Sequence, residues 1–399
     1  MGSMMKICIS SALCLALSLT LCACITAPSE ELITSSDGIN NQQPKNLFVF
    51  LDGTRNNQNT ATNVWHLREI ISKEAGSTMP TETIYIEGVG SAENPISGMT
   101  LGFGMESRIL RAYRFLIERY KAGDRIYIFG FSRGAHQARA LAGLLSYSGI
   151  PSRESLQDKD LLKVGNRILE ITKTKSDKDL EDQWNHLAHQ RLPPLTSEIE
   201  SKLGLQTMYV EIEFLGIWDT VPGSSFKTYS GCKETENSQE GERYKTDSYP
   251  PIKHIAHAVS LDEKRSMFSP LLVCPRVKSG NNTIVEVWFP GAHADVGGGY
   301  EDYNDLAPIS LRWMLDRLKT IYPIRATSYP PEGVVLGISH WSMGDFPANF
   351  RSECIDRKIP DNAIIHPSME ERARVSSARI VINDQVLMKQ YPLSCKDMQ

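Results

Sequence analysis

A chain of 399 residues, 41% of them hydrophobic, can bury a large core in one big domain or two smaller ones. Its formal net charge is -4, from 43 basic and 47 acidic residues with no run of like charge, which argues against nucleic acid as the main partner. No Walker A, HExxH or CxxC pattern is present, and Gly88-Val89-Gly90 lacks the third glycine of a dinucleotide fingerprint, so neither metal nor cofactor is expected.

At the N-terminus Lys6 precedes an apolar stretch from Ile7 to Leu21. It is too short to span a bilayer comfortably, which takes about 20 residues. A charged start, a short apolar centre and small residues after it describe an export signal. The stretch ends in Leu21-Cys22-Ala23-Cys24, which resembles a bacterial lipobox. That resemblance implies a signal over residues 1–23, cleavage before Cys24 and lipidation of that cysteine. Cys22 is the alternative, with bulky Leu21 before it. A plain secretory signal or a buried N-terminal helix is the other reading. Polar, turn-rich residues 24–45 then read as a tether, placing an exported domain at the bacterial envelope, lipid-anchored and facing the periplasm. Downstream of Cys24 stand Cys232, Cys274, Cys354 and Cys395, which permit two disulfides in three pairings. Cys232 lies in a polar stretch and Cys395 in the tail, so these two look more bondable than buried.

The catalytic domain is expected over 46–399. Leu47 to Leu51 is a short apolar run ended by Asp-Gly, the pattern of a buried parallel strand. A helical segment at 62–74, a strand in "ETIYIEGVG", a helix at 105–121 and a strand at Ile126 to Phe129 follow. That alternation predicts an α/β fold, with a mostly parallel central sheet and helices on both faces. A helical insertion is expected at about 151–206, and a polar surface excursion at 222–250. "MYVEIEFLGIWDT" and "TIVEVWF" read as further strands, and residues 305–322 as an amphipathic helix with Leu306, Ile309, Leu311, Met314, Leu315 and Leu318 inward. His254 and His257, three apart, read as a helical pair. The region of about 325–399, rich in proline and polar residues, reads as irregular.

Residues 126–145, "IYIFGFSRGAHQARALAGLL", place Ser132 between Gly130 and Gly134 where a strand passes into a helix. An alcohol is a weak nucleophile at neutral pH, and needs a base, an orienter for that base and donors for an oxyanion. A strand-to-helix elbow in the G-x-S-x-G spacing exposes the hydroxyl at a helix N-terminus, where free N–H groups favour negative charge. The N–H of Arg133 is the first candidate oxyanion donor, and that of Gly53 or Thr54, at the end of an earlier strand, the second. Asp52 reads as a turn cap. A glycine-rich turn with an incidental serine cap is the plainer reading of the motif. In this fold class the partners follow in the order Ser, acid, His. His293 is the histidine placed just past a later apolar strand in a glycine-bounded loop, and Asp219 ends a strand before Pro222. Asp295 is the rival acid, and otherwise an orderer of the loop.

With Ser132, Asp219 and His293 placed, the chain resembles the bacterial α/β-hydrolase family that includes the first class of type VI secretion lipase effectors. The stretches are "FLDGTRNN", "GFSRGAHQAR", "GIWDTV", "LDEKRSMFSP", "GAHADVGGGY" and "IIHPSMEER", in family order over roughly 46–372. The resemblance implies a Ser-Asp-His hydrolase with an α/β-hydrolase fold and, as in characterised members, phospholipase activity. The expected substrate is a phospholipid or another acyl ester, met at the membrane to which Cys24 tethers the enzyme. Two other readings remain: a non-catalytic envelope lipoprotein that keeps the fold, and a thioesterase or peptidase using the same triad.

Overall fold

The computed structural model describes residues 31–35, 43–75, 79–90, 103–175, 189–222, 244–273, 282–344 and 352–396. Its centre is an eight-stranded sheet in the order β1-β3-β2-β4-β7-β8-β9-β11. These strands are β1 (Glu31–Ser35), β2 (Asn46–Leu51), β3 (Thr81–Ile86), β4 (Arg125–Phe131), β7 (Ile212–Trp218), β8 (His254–Ser260), β9 (Thr283–Phe289) and β11 (Ile364–Ile365). Every pairing is parallel except that of β1 with β3, and the sheet has the α/β-hydrolase form.

Alternation along the strands sorts the core into two chemistries. Leu47, Val49, Leu51, Ile126 and Ile128 face an aliphatic layer with α2 (Phe103–Arg119), α3 (Arg133–Ser148) and α5 (Leu161–Lys173). Phe48, Phe50, Tyr127 and Phe129 face the other side, against α1 (Asn63–Glu74) and α8 (Ala307–Leu318). There Phe48 stacks on Tyr127 with centroids 4.4 Å apart and meets Tyr322 edge-on at 5.0 Å. Each such ring contributes about 1.5–3 kcal/mol by burial. Of the inward residues expected on the last long helix, Leu306, Leu311, Met314, Leu315 and Leu318 are buried and Ile309 is half-buried.

The helical insertion comprises α4 (Arg153–Leu156), α5 and α6 (Thr196–Leu203). It is closed at its base where β5 (Ile150–Pro151) pairs antiparallel with β6 (Thr207–Met208). Three expectations need correction. Glu31–Ser35, assigned to the tether, adds an antiparallel edge strand along β3, because Leu32 and Ile33 sit in an extended run that the β3 backbone can pair. His254 and His257 lie on a central strand rather than a helix. Their flanking Ile255, Ala256, Ala258 and Val259 are buried between the two layers.

The C-terminal region also holds regular structure. It contains α9 (Pro367–Arg374) and a second sheet of β10 (Ser339–His340), β12 (Ser377–Ile382) and β13 (Gln385–Gln390). The β12–β13 hairpin turns at Asn383 and Asp384, both with positive φ, a chemistry that tight hairpins favour. Cys395, expected to be bondable, is bonded to Cys354, one of the pairings the sequence permits. Cys24, Cys232 and Cys274 lie outside the described residues, as do the proposed signal and residues 223–243 of the 222–250 excursion. Among the described residues no helix is long and apolar enough to cross a membrane.

Candidate active site

The carboxyl ends of β4, β7 and β9 meet at one edge of the sheet. Ser132 follows β4 with φ 58° and ψ -126°, a conformation that costs a non-glycine residue energy and recurs at functional sites. The packing explains its glycine neighbours. A Cβ on Gly130 would stand 2.4 Å from the Gly134 carbonyl oxygen, and one on Gly134 would stand 2.1 Å from that of Leu51. Ser132 is anchored to the segment after β7: its N–H donates to the Trp218 carbonyl at 3.0 Å, and its own carbonyl accepts from the Val221 N–H at 3.2 Å.

Asp219 therefore sits between two residues that hold the elbow. It is fully buried, and its Oδ2 lies 2.5 Å from Nδ1 of His293, the first residue of α7 (His293–Gly297). Its Oδ1 accepts from the Ser260 N–H at 2.9 Å. The His293 ring packs against Phe131, the residue before the serine, at 4.6 Å, and meets Phe268 edge-on at 4.9 Å. Among the described residues no hydrogen bond joins the Ser132 hydroxyl to His293. The structure thus couples Asp219 directly to His293, while Ser132 is bonded to the neighbours of Asp219 and follows Phe131, which packs on the His293 ring. Catalytic hydrogen bonds of this kind often form only with substrate in place.

The loop after β2 lies against the elbow, where a Cβ on Gly53 would stand 3.2 Å from that of Ser132. Gly53 itself is not a free donor, because its N–H is turned to the Asp52 carboxylate at 2.7 Å. The N–H groups of Thr54 and Arg133 make no hydrogen bond among the described residues, and the Thr54 hydroxyl is buried without a partner there. Of the proposed oxyanion donors, Thr54 and Arg133 are therefore the pair left available. Asp52 fixes this loop by also accepting from Thr62 Oγ1 at 2.7 Å and Tyr85 Oη at 2.6 Å. Burial pushes its carboxyl up to about 6, against the pull of those hydrogen bonds.

Further contributors were not singled out by the sequence, although Glu263 and Arg265 lie in the family-like stretch "LDEKRSMFSP". Arg357 grips Asp219 with both terminal nitrogens, at 2.6 and 2.9 Å. Glu263, fully buried, accepts from the His293 N–H at 3.2 Å and is paired to Arg265 at 2.8 Å, while Ser342 donates to it. Burial raises the Asp219 carboxyl, but Arg357 and His293 outweigh it and hold the group well below the usual range. Burial likewise raises Glu263, and Arg265 brings it to about 2. Burial lowers His293 by more than Asp219 and Glu263 raise it, with Arg265 adding to the fall, so the imidazole is neutral at neutral pH. Asp295, the rival acid, instead pairs with His340 at 2.7 Å and accepts from the Ala292 N–H. His257 braces the site from below, between Thr220 and Glu286. A cleft of about 450 Å³ beside α1 and α8 is lined by none of the proposed site residues.

A family model described as T6SS, phospholipase effector Tle1-like, catalytic domain, matches residues 45–317. The chain belongs to that family. Within it, the elbow, Asp219 and His293 all fall inside the matched span, whereas Arg357 and the disulfide lie beyond it. Over 250 residues the chain is 27% identical to the uncharacterized protein YEL023C of Saccharomyces cerevisiae, covering 58% of this chain and 33% of that protein. Among solved structures it is similar to an uncharacterized protein from Pseudomonas aeruginosa, with 18% identity, a TM-score of 0.40, and 72% of this chain and 47% of that one covered. It is also similar to the Tle1 effector bound to the VgrG spike of the type 6 secretion system, with 16% identity, a TM-score of 0.31, and 68% and 57% covered. An esterase of Thermogutta terrifontis gives 14% identity, a TM-score of 0.35, and 74% and 90% covered. The chain thus spans about a third of the yeast relative and about half of the Pseudomonas protein.

Proposed function

We propose that this chain is a serine ester hydrolase that cleaves phospholipids or related acyl esters, with Ser132 as nucleophile, His293 as base and Asp219 as its orienter. The observation that carries this reading is the 2.5 Å contact of His293 Nδ1 with buried Asp219 beside a strained elbow serine. Membership of a Tle1-like phospholipase effector family supports the lipid ester as substrate.

In the reaction, Nε2 of His293 takes the Ser132 proton as Oγ bonds to the acyl carbon. The carbonyl oxygen becomes an oxyanion facing the N–H groups of Arg133 and Thr54. His293 then gives the proton to the leaving alcohol, here a lysolipid, as the ester C–O bond breaks. Water repeats the sequence on the acyl-enzyme and releases the fatty acid. Asp219 keeps the imidazole in the tautomer with Nδ1 protonated and stabilises the cation formed at each step.

The signal-like N-terminus and lipobox-like Leu21-Cys22-Ala23-Cys24 support anchoring through lipidated Cys24, with the domain in the envelope at its substrate's surface. Phospholipid vesicles incubated with the full chain should release fatty acid and lysolipid in equal amounts, and Ser132→Ala should release neither. Thioester or peptide turnover without phospholipid cleavage would move the substrate assignment. Cys24→Ala should shift the protein from the membrane to the soluble fraction.

A further inference from the structure

Asp219 is a fully buried carboxylate whose imidazole partner is neutral at rest, so a cation must come from elsewhere to make its charge tolerable. Arg357 supplies it, with a side chain only 3% exposed. Its Nη1 donates to Asp219 Oδ1 and its Nη2 to Oδ2, a two-pronged grip that fixes the plane of the carboxylate and points Oδ2 at His293. The same nitrogens donate to the carbonyls of Ser260 at 2.5 Å and Phe268 at 2.6 Å. Ser260 also donates its N–H to Asp219, and Phe268 packs on the His293 ring. One guanidinium therefore joins three segments that surround the acid and the base.

Arg357 reaches this place on a strap that runs beside Lys264 to Ser266. The Ser266 N–H donates to the Glu353 carbonyl at 2.9 Å, and the Ile355 N–H to that of Lys264 at 2.8 Å. Lys264 pairs with Asp356 at 2.9 Å, and the Cys395 N–H also donates to Asp356. Three residues before Arg357, Cys354 is bonded to Cys395, which fastens the strap to the chain end.

We infer that Arg357 is the positioning residue for the acid Asp219, and that the Cys354–Cys395 disulfide holds its strap in place so that turnover depends on that bond. This rests on the proposed serine hydrolase reading. The charged groups facing the pair are Arg357 on Asp219, and Glu263 and Arg265 on His293. Removing the Arg357 charge leaves Asp219 uncompensated, so it holds a proton on His293 more strongly. The acid limb of kcat/KM then moves to higher pH. Loss of the grip also lets the carboxylate turn, which lowers kcat with KM little changed.

The test follows p-nitrophenyl butyrate hydrolysis against pH for the wild type, Arg357→Gln, Arg357→Lys and the Cys354→Ser/Cys395→Ser pair, with thermal melts as folding controls. Arg357→Gln should lose about 10- to 100-fold in kcat, the span of a charge-assisted hydrogen bond, and shift the limb upward. Arg357→Lys should keep the limb in place but recover only part of kcat, because one ammonium does not hold both oxygens. Dithiothreitol breaks the S–S bond to two thiols and closes to its own cyclic disulfide. It should slow the wild type several-fold, as the double serine variant does, and leave Arg357→Gln unchanged. If Arg357→Gln does not fold, Arg357→Lys and the reductant on the wild type carry the test. A wild-type kcat and limb in Arg357→Gln, a kcat loss with an unmoved limb, or equal slowing of wild type and variant by the reductant would each overturn the inference. Failure of the hydrolase reading looks different: the wild type itself would neither turn over the ester nor take a fluorophosphonate on Ser132.

Discussion

Two buried histidine–aspartate pairs each draw one member from α7, and they differ in what surrounds them rather than in their own geometry. His293 meets Asp219 at 2.5 Å, and His340 meets Asp295 at 2.7 Å. Asp219 is shared with the Arg357 cation, and Arg265 lies near its histidine. His340 has a second carboxylate, Asp302, 3.2 Å from its other nitrogen, and Tyr300 stacked on its ring at 3.5 Å. Burial lowers both imidazoles. At His293 burial prevails and the ring stays neutral. At His340 the bonds to Asp295 and Asp302 prevail and raise it above its ordinary 6.5. The first imidazole is thus held below its ordinary value and the second above it, and the second pair pins the C-terminal sheet to α7.

The sharpest break of this comparison is removal of each histidine. His293→Ala should lower kcat for ester hydrolysis about 10⁴-fold or more, as Ser132→Ala does, whereas His340→Ala should leave kcat per folded molecule essentially unchanged. The acids should divide in the same way. Asp219→Asn should lower kcat about 10⁴-fold through the wrong imidazole tautomer. Asp295→Ala should instead lower stability in urea denaturation by about 3–5 kcal/mol, because it strands a buried partner.

Opposite pH signatures sharpen the contrast. With its folded value depressed, His293 should let kcat/KM stay level through neutral pH and fall only below the ordinary histidine range. The raised value of His340 means that its contribution to stability is complete below 6.5 and is lost as pH rises through the folded value. The difference in melting temperature between wild type and His340→Asn should therefore shrink on raising the pH. The smallest effect is expected at Glu263, held at about 2. Its contribution is present above 4.5 and lost as pH falls toward 2, so Glu263→Gln should narrow the acid-unfolding difference and change kcat only a few-fold.

What could be read from the sequence follows the strength of local signals. β2, β4, β7 and β9 are apolar runs closed by turn residues, and the elbow has a spacing that sterics enforce, as the contacts of Gly130 and Gly134 make plain. β8 is hard to read locally because His-Ile-Ala-His-Ala-Val-Ser carries no Phe, Tyr or Trp and only two β-branched residues, and its histidines fall at a helical interval. Its identity as a strand comes from tertiary burial between β7 and β9. The C-terminal sheet was hidden by the two-residue β10 and by an exposed hairpin whose outward Val386 and Met388 give no clean alternation. Arg357 lies in a segment without periodicity, 138 residues from Asp219 in sequence. Only the folded chain brings the two together.

The central claim is that the Asp219–His293 pair, and not the Asp295–His340 pair, activates Ser132. It is tested most directly by the rate of fluorophosphonate labelling, with the adduct located by mass spectrometry. The account predicts one adduct on Ser132, formed orders of magnitude more slowly in His293→Ala and at the wild-type rate in folded His340→Ala. An unchanged labelling rate without His293, or an adduct on another residue, would contradict it.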